Sequence, residues 1–123
     1  MITILGAGGV GLTVASFLEK ESKEVVVVCR TLSQSQKINS YGITISGNTQ
    51  YCAKKIVATT LRNKNFKEFL CRTEVILVCV KSYDTEKLLS ELKSLKKFIS
   101  GNVLFVSLQN GLGIKAGLMT FAE

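Results

Sequence analysis

Short apolar runs alternate along the chain with stretches whose apolar residues recur at helical spacing. The runs have the length and composition of strands buried on both faces, and they cover residues 2–5, 24–29, 75–80 and 103–108. The stretches between them predict helices over residues 12–20, 33–41 and 66–70, and one that begins near Asp84. We therefore expect an α/β fold, with a doubly wound, mostly parallel sheet and helices on both faces.

The ends of these helices carry recognisable signals. Asp84 is placed to be the N-cap of the last helix, and Lys96 and Lys97 are placed to close it at the negative end of its dipole. Gly42 is placed to end the second helix as a left-handed cap. Residues 43–60 are less regular and could add antiparallel strands, with one strand expected over residues 43–46 and another over residues 51–59.

A glycine motif joins the first strand to the first helix. It reads Gly6-Ala7-Gly8-Gly9-Val10-Gly11 and matches G-x-G-x-x-G. Such a unit directs backbone N–H groups and the positive end of a helix dipole at one point, which favours a bound diphosphate. Gly6 would allow the tight turn, Gly8 the close approach of a pyrophosphate, and Gly11 the packing of helix on strand. The motif predicts a Rossmann-like dinucleotide site; a turn rich in glycine for packing alone is the alternative.

The end of the second strand indicates which dinucleotide is bound. A carboxylate at this position selects NAD, whereas an arginine accommodates the 2′-phosphate of NADP. Here the strand runs into Arg30, and no acid occupies the turn. Arg30 can hold a phosphate through two hydrogen bonds, and Thr31, Ser33 and Lys37 could add donors. We expect NADP(H) rather than NAD(H); the alternative is that Arg30 is an ordinary surface residue.

Composition excludes several other classes of function. The 123 residues, 46% of them hydrophobic, suit one globular domain, and no apolar run is long enough to cross a membrane. The first run also lacks the basic leader of a secretory signal, so we expect a cytoplasmic protein without a membrane partner. The chain has no histidine, which excludes a histidine-based zinc site or a catalytic triad, and we expect no metal.

Cysteines and basic residues point to no further site. Cys29, Cys52, Cys71 and Cys79 show no C-x-x-C pairing, and we expect them to be small buried residues rather than ligands or disulfide partners. The net charge of +7 suits an anionic partner. The basic residues are spread out without interleaved aromatic residues, so we expect solvated helix faces and no nucleic-acid partner.

Two further segments carry a resemblance to a known family. One strand runs into Lys81-Ser82-Tyr83-Asp84-Thr85, and the last strand runs into Leu108-Gln109-Asn110-Gly111-Leu112-Gly113. With the glycine motif and Arg30, they resemble the N-terminal domain of the ketopantoate reductases (2-dehydropantoate 2-reductases). These enzymes reduce a small 2-keto acid with NADPH on the way to pantothenate. The resemblance implies an NADP-binding Rossmann domain over residues 1–113.

The resemblance also implies roles for single residues. Gly6 to Gly11 would hold the diphosphate, and Arg30 the 2′-phosphate. Lys81 would lie by the cofactor near the substrate cleft, and Asn110 would contact both the nicotinamide end and the substrate. Both residues follow predicted parallel strands, where ligands of open α/β sheets bind. The alternatives are a solvent-facing lysine and an Asn-Gly turn.

The sequence departs from the family pattern after Gly113. Family members continue into a helical C-terminal domain, which supplies the lysine that protonates the developing alkoxide and most residues that hold the substrate. Residues 114–123 lack the acidic helical opening common in the family, and we expect an atypical tail: an engineered boundary, a natural truncation or a frameshifted end. We therefore expect no catalytic residue in this chain, and cofactor binding with little or no turnover.

Three functions follow from these expectations. The first is the nucleotide-binding half of an NADPH-dependent reductase of 2-dehydropantoate or another small 2-keto acid, with a C-terminal domain or a second copy of the chain as partner. The second is a non-catalytic NADP(H)-binding or sensing module. The third is a scaffold that keeps the fold and binds no nucleotide.

Overall fold

A five-stranded, all-parallel sheet forms the centre of the chain. The computed structural model describes residues 1–48, 50–81 and 84–109. The strands of the sheet are β1 (Ile2–Leu5), β2 (Val25–Cys29), β5 (Val57–Thr60), β6 (Val75–Val78) and β7 (Leu104–Ser107). They pair in the order β5-β2-β1-β6-β7, so that β1 lies between β2 and β6. This is the strand order of a Rossmann-like fold, and the predicted parallel sheet is confirmed.

The sheet is buried on both faces because its central strands are almost wholly apolar. The helices that cover it are α1 (Gly9–Lys20), α2 (Leu32–Tyr41), α3 (Phe66–Arg72) and α4 (Thr85–Lys93). Leu5 and Val28 point to one face, where they pack with residues of α3 and α4. Ile4 and Val27 point to the other face, where they pack with residues of α1 and α2. Helices therefore lie on both faces, as the alternation of apolar runs predicted.

The first helix begins inside the glycine motif. α1 begins at Gly9 rather than at residue 12, and the N–H of Leu12 already donates to the carbonyl of Gly8 at 2.9 Å. The first N–H groups of a helix have no partner within the helix, so glycines are tolerated in that turn. Only residues 6–8 therefore form the connection between β1 and α1.

The irregular middle of the chain forms a separate antiparallel hairpin. β3 (Ile43–Ile45) pairs with β4 (Tyr51–Ala53), and the hairpin packs on α1 instead of joining the main sheet. The single strand expected over residues 51–59 is wrong, because the chain leaves the hairpin after Ala53 and enters the main sheet at Val57. Gly42 ends α2 with a positive φ of 76°, but its ψ of −166° lies outside the left-handed helical region, so the expected left-handed cap is not formed.

The last helix is shorter than its leucine spacing predicted. α4 ends at Lys93, and Lys96 and Lys97 lie in a separate 3₁₀ turn (Lys96–Phe98), so these two lysines do not close α4. Asp84 is the N-cap residue by position, but its side chain makes no capping hydrogen bond. Its carboxylate instead accepts a hydrogen bond from Arg30.

The expectation of buried cysteines holds for only part of the set. Cys29 is buried and Cys79 is partly buried, whereas Cys52 and Cys71 are exposed. Cys52 lies on the outward face of the two-stranded hairpin, which has only one packed face, and Cys71 lies on the solvent side of α3. All four are free thiols.

Candidate functional site

A cleft of about 900 Å³ opens at the carboxyl ends of the parallel strands. Ligands of open α/β sheets bind at this edge, and small-molecule sites measure about 300–1,000 Å³. The lining includes Gly6, Ala7, Gly8, Arg30 and Lys81, which the sequence assigned to one site. The fold therefore brings together residues that lie far apart in the chain. Asn110 lies outside the described residues.

The glycines of the motif have different structural reasons to be glycine. Gly6 has a φ of 115°, and a β-carbon there would lie 2.8 Å from the backbone nitrogen of Val80. A β-carbon on Gly11 would lie 2.0 Å from the carbonyl oxygen of Gly6. A β-carbon on Gly8 would meet no described atom within 4 Å, although Gly8 lines the cleft. The protein's own packing thus requires Gly6 and Gly11, while Gly8 leaves room for a ligand.

The N-terminus of α1 is suited to an anion. Gly8 is its N-cap and offers no side-chain cap, and the first turn contains no acidic residue. The positive end of the helix dipole therefore lies next to Gly8, which lines the cleft. Gly9, Val10 and Gly11 do not line the cleft, and the side chain of Val10 is exposed.

Arg30 is paired with an acid that the sequence analysis did not place beside it. The Nη2 of Arg30 donates to the Oδ1 of Asp84 at 2.9 Å. Arg30 follows β2, Asp84 follows β6 and precedes α4, and β1 lies between β2 and β6. The ion pair therefore crosses the carboxyl end of β1. The turn after β2 contains no acid, but the fold supplies one from 54 residues away in the chain.

The other donors expected beside Arg30 do not enter the cleft. The hydroxyl of Thr31 accepts a hydrogen bond from the backbone N–H of Gln34 at 3.2 Å, which caps α2. Ser33 and Lys37 are exposed and lie outside the cleft lining. Gln34 was missed by the sequence analysis: its Nε2 donates to the carbonyl of Ala7 at 2.9 Å and ties α2 to the glycine turn.

Lys81 is exposed at the cleft on a segment held by backbone contacts. It lies beyond the end of β6, and its carbonyl accepts from the N–H of Asp84 at 2.9 Å. The Nε2 of Gln109, which follows β7, donates to the carbonyl of Val80 and to the hydroxyl of Thr85. Gln109 therefore links two parts of the chain, the residue next to Lys81 and the first turn of α4.

Further charged residues enter the cleft from elements that the sequence could not place. Arg62 comes from the loop after β5, and Lys87 and Glu91 come from α4. With Arg30 and Lys81, the described lining contains more basic than acidic side chains, which suits a polyanionic ligand. Arg62 was not expected in the cleft, and the position of β5 beside β2 brings it here.

Burial keeps the two cysteines of the lining in the thiol form. Burial raises the pKa of the Cys29 thiol from 9.0 to about 11, and burial also raises the pKa of Cys79. A thiol, not a thiolate, is therefore present in both at neutral pH. They contribute apolar surface to the cleft.

A parallel sheet with a glycine turn at its central strand and a cationic cleft above it defines a Rossmann-like domain. The sequence matches the model of the ketopantoate reductase PanE/ApbA family over residues 2–121. The chain therefore belongs to this family of NAD(P)-dependent oxidoreductases, and the resemblance drawn from its motifs is confirmed. None of the curated proteins matches it significantly.

Solved structures agree with this assignment. The probable 2-dehydropantoate 2-reductase PanE of Bacillus subtilis is 29% identical, with a TM-score of 0.73, and the match covers 96% of this chain and 36% of that one. A PanE/ApbA family ketopantoate reductase of Ralstonia eutropha is 24% identical, with a TM-score of 0.80 over 98% of this chain and 38% of that one.

A third solved structure shares the fold. It is a D-mandelate dehydrogenase in complex with NADH and anilino(oxo)acetate, 23% identical, with a TM-score of 0.79 over 98% of this chain and 37% of that one. The present chain thus spans little more than a third of the length of each of these three proteins. Among the described helices, none is both long and apolar enough to cross a membrane.

Proposed function

We propose that this protein binds NADP(H) in the cleft as the nucleotide-binding part of a reductase of a small 2-keto acid, with 2-dehydropantoate as the first candidate. Residues 1–113 are the NADP-binding domain in this proposal. The observation that carries it is the open space at Gly8 beside the uncapped N-terminus of α1. A glycine that packing does not require is expected where a pyrophosphate approaches the backbone.

The diphosphate and the 2′-phosphate of the cofactor contact different parts of the cleft in this proposal. Backbone N–H groups of the glycine motif, Gly6 to Gly11, hold the diphosphate in this proposal. Arg30 directly follows β2, where the adenosine ribose lies in this architecture, and its guanidinium takes the 2′-phosphate. The NADH bound by the mandelate dehydrogenase has no such phosphate, so the choice of NADP(H) rests on Arg30 alone.

The substrate end is assigned to Lys81 and Asn110. The reduced nicotinamide supplies the hydride when bound. The ammonium of Lys81, exposed at the cleft, attracts the carboxylate of the keto acid or steadies the cofactor ribose. The amide of Asn110 contacts the nicotinamide end and the substrate, since it can donate and accept at once. The keto oxygen also needs a proton donor, which we assign to the part of the relatives beyond the aligned third.

Calorimetric titration with NADPH and NADH tests the proposal directly. We expect NADPH to bind, and to bind more tightly than NADH. If neither nucleotide binds, the fold is a scaffold and the proposal is wrong.

A second assay measures reduction of 2-dehydropantoate by the chain alone and with the C-terminal domain of a relative added in trans. We expect little or no rate alone and a rate with the added domain. NADPH binding without turnover in either case would indicate a non-catalytic sensing module. Turnover of a different small 2-keto acid in the same assay would correct the substrate.

A further inference from the structure

We infer that Asp84 is a specificity-determining residue of the cofactor site: it holds Arg30 as a counterion across the cleft, and a 2′-phosphate bound at Arg30 competes with it. This inference rests on the proposed function, since it concerns the same site and the same cofactor. It adds a residue that no motif of the sequence assigned to nucleotide binding. It also states a consequence, namely that Asp84 weakens the preference for NADPH over NADH.

The carboxylate of Asp84 is directed at Arg30 rather than at its own helix. Asp84 occupies the N-cap position of α4, where an aspartate ordinarily accepts a hydrogen bond from the helix backbone. No such bond is made, and its Oδ1 instead accepts from the Nη2 of Arg30 at 2.9 Å. The side chain of Asp84 is 29% exposed and that of Arg30 is 76% exposed, so the pair lies at the mouth of the cleft.

The ion pair of Arg30 and Asp84 lies across the path that the cofactor takes in the proposed site. Arg30 stands on the β2 side of β1, and Asp84 stands on the β6 side. Both line the same cleft as Gly8, which follows β1. A dinucleotide extended over the end of β1 therefore passes the ion pair, and its 2′-phosphate competes with the Asp84 carboxylate for one guanidinium.

Electrostatics make this competition selective between the two cofactors. A phosphate monoester carries a charge of about −1.5 to −2 near neutral pH. Bound at Arg30, it would lie close to the negative carboxylate of Asp84, which is unfavourable. The 2′-hydroxyl of NADH carries no charge and can donate a hydrogen bond to that carboxylate. Asp84 therefore costs NADPH affinity and does not cost NADH affinity.

Replacing the carboxylate by an amide of the same shape tests the inference. In the purified protein, Asp84→Asn is expected to tighten NADPH binding about three- to tenfold, the order expected for freeing a partly exposed charge. NADH binding is expected to stay the same or to weaken. Glu86→Gln is the matched control, because Glu86 lies in the same first turn of α4 but outside the described cleft lining, and it should change neither affinity.

A double-mutant cycle shows whether Asp84 acts through Arg30. In an Arg30→Ala background, Asp84→Asn is expected to give less than half of its gain in NADPH affinity. The comparison of NADPH with NADH is repeated with adenosine 2′,5′-bisphosphate and 5′-AMP, two ligands that differ only by the 2′-phosphate, and their affinities are measured in the same variants. The gain for the bisphosphate should match the gain for NADPH.

Three results would overturn the inference alone: unchanged or weaker NADPH binding in Asp84→Asn, an equal gain for NADH, or a full gain without Arg30. In each of these results the wild-type protein still binds NADPH, so the proposed function stands. Absence of binding by both the wild-type protein and Asp84→Asn overturns the proposed function and this inference together.

Discussion

Gly11 lies directly against the backbone of Gly6, so that a β-carbon on Gly11 would stand 2.0 Å from the Gly6 carbonyl oxygen. Gly6 directly follows β1 and Gly11 lies in the first turn of α1, so the contact joins the end of the strand to the start of the helix. Neither backbone can move away easily, because Gly6 is itself packed against the backbone of Val80. The contact fixes where the N-terminus of α1 stands above the sheet.

Gly11→Ala is therefore expected to destabilise the fold. Since the clash is with backbone and not with a flexible side chain, the free energy of unfolding should fall by at least about 3 kcal/mol. Urea unfolding without nucleotide measures this. Gly9→Ala is the control, because a β-carbon on Gly9 meets no described atom within 4 Å, and stability should change by no more than about 1 kcal/mol. Equal midpoints for Gly11→Ala and the wild type would contradict the packing role.

Gly8→Ala is expected to weaken NADPH binding and to leave the stability of the fold nearly unchanged. The backbone at Gly8, with φ −82° and ψ −171°, is open to alanine, and nothing in the described structure obstructs a β-carbon. Stability should stay within about 0.5 kcal/mol of the wild type. NADPH affinity should fall about tenfold or more, because the methyl group holds the diphosphate away from the helix N-terminus. Calorimetry beside urea unfolding separates the two effects, and an unchanged affinity would remove Gly8 from the site.

Arg30→Ala is expected to weaken NADPH binding about ten- to a hundredfold, the cost of one charge-assisted hydrogen bond to a phosphate. NADH has no 2′-phosphate, so its affinity should change less than about threefold. Lys37→Ala removes the same charge from α2 outside the cleft lining and serves as the control. An equal loss for NADPH and NADH in Arg30→Ala would show that Arg30 acts on another part of the nucleotide.

Cys29 is expected to make stability depend on pH in the alkaline range. Its pKa rises from 9.0 to about 11 on burial, so the folded protein holds this proton more tightly than the unfolded chain does. The stabilising contribution is complete below pH 9 and is lost as the pH rises from 9 to 11. The loss amounts to about 3 kcal/mol at most. The stability gap between the wild type and Cys29→Ala, measured by urea unfolding, should therefore shrink between pH 8.5 and pH 11. A constant gap would contradict the shift.

Local sequence signals predicted the elements that depend on neighbouring residues. β2 could be recognised because an unbroken β-branched run is what a strand buried on both faces requires, and it is buried at every position. The glycine motif could be interpreted because strand, turn and helix are contiguous in the chain. Even there, the start of α1 at Gly9 was missed, since a first helical turn needs no internal hydrogen bonds and leaves no apolar periodicity.

Relationships across the sheet could not be predicted in the same way. The pair of Arg30 and Asp84 depends on β1 lying between β2 and β6, which no local pattern states. The entry of Arg62 into the cleft likewise depends on β5 pairing with β2. Residues 51–59 contribute to two different sheets, first to the hairpin and then to the main sheet. Their weak alternation of apolar and polar residues is the same whether they form one strand or two.

The central position of β1 has a consequence for how the protein is made. Ile2–Leu5 is synthesised before both of its neighbours in the sheet, and one of them, Val75–Val78, follows about 70 residues later. Until residue 78 has emerged, one hydrogen-bonding edge of an apolar strand has no native partner in the nascent chain. Translation that stalls upstream of that point leaves this apolar edge of β1 open, and an open strand edge is where a second copy can pair.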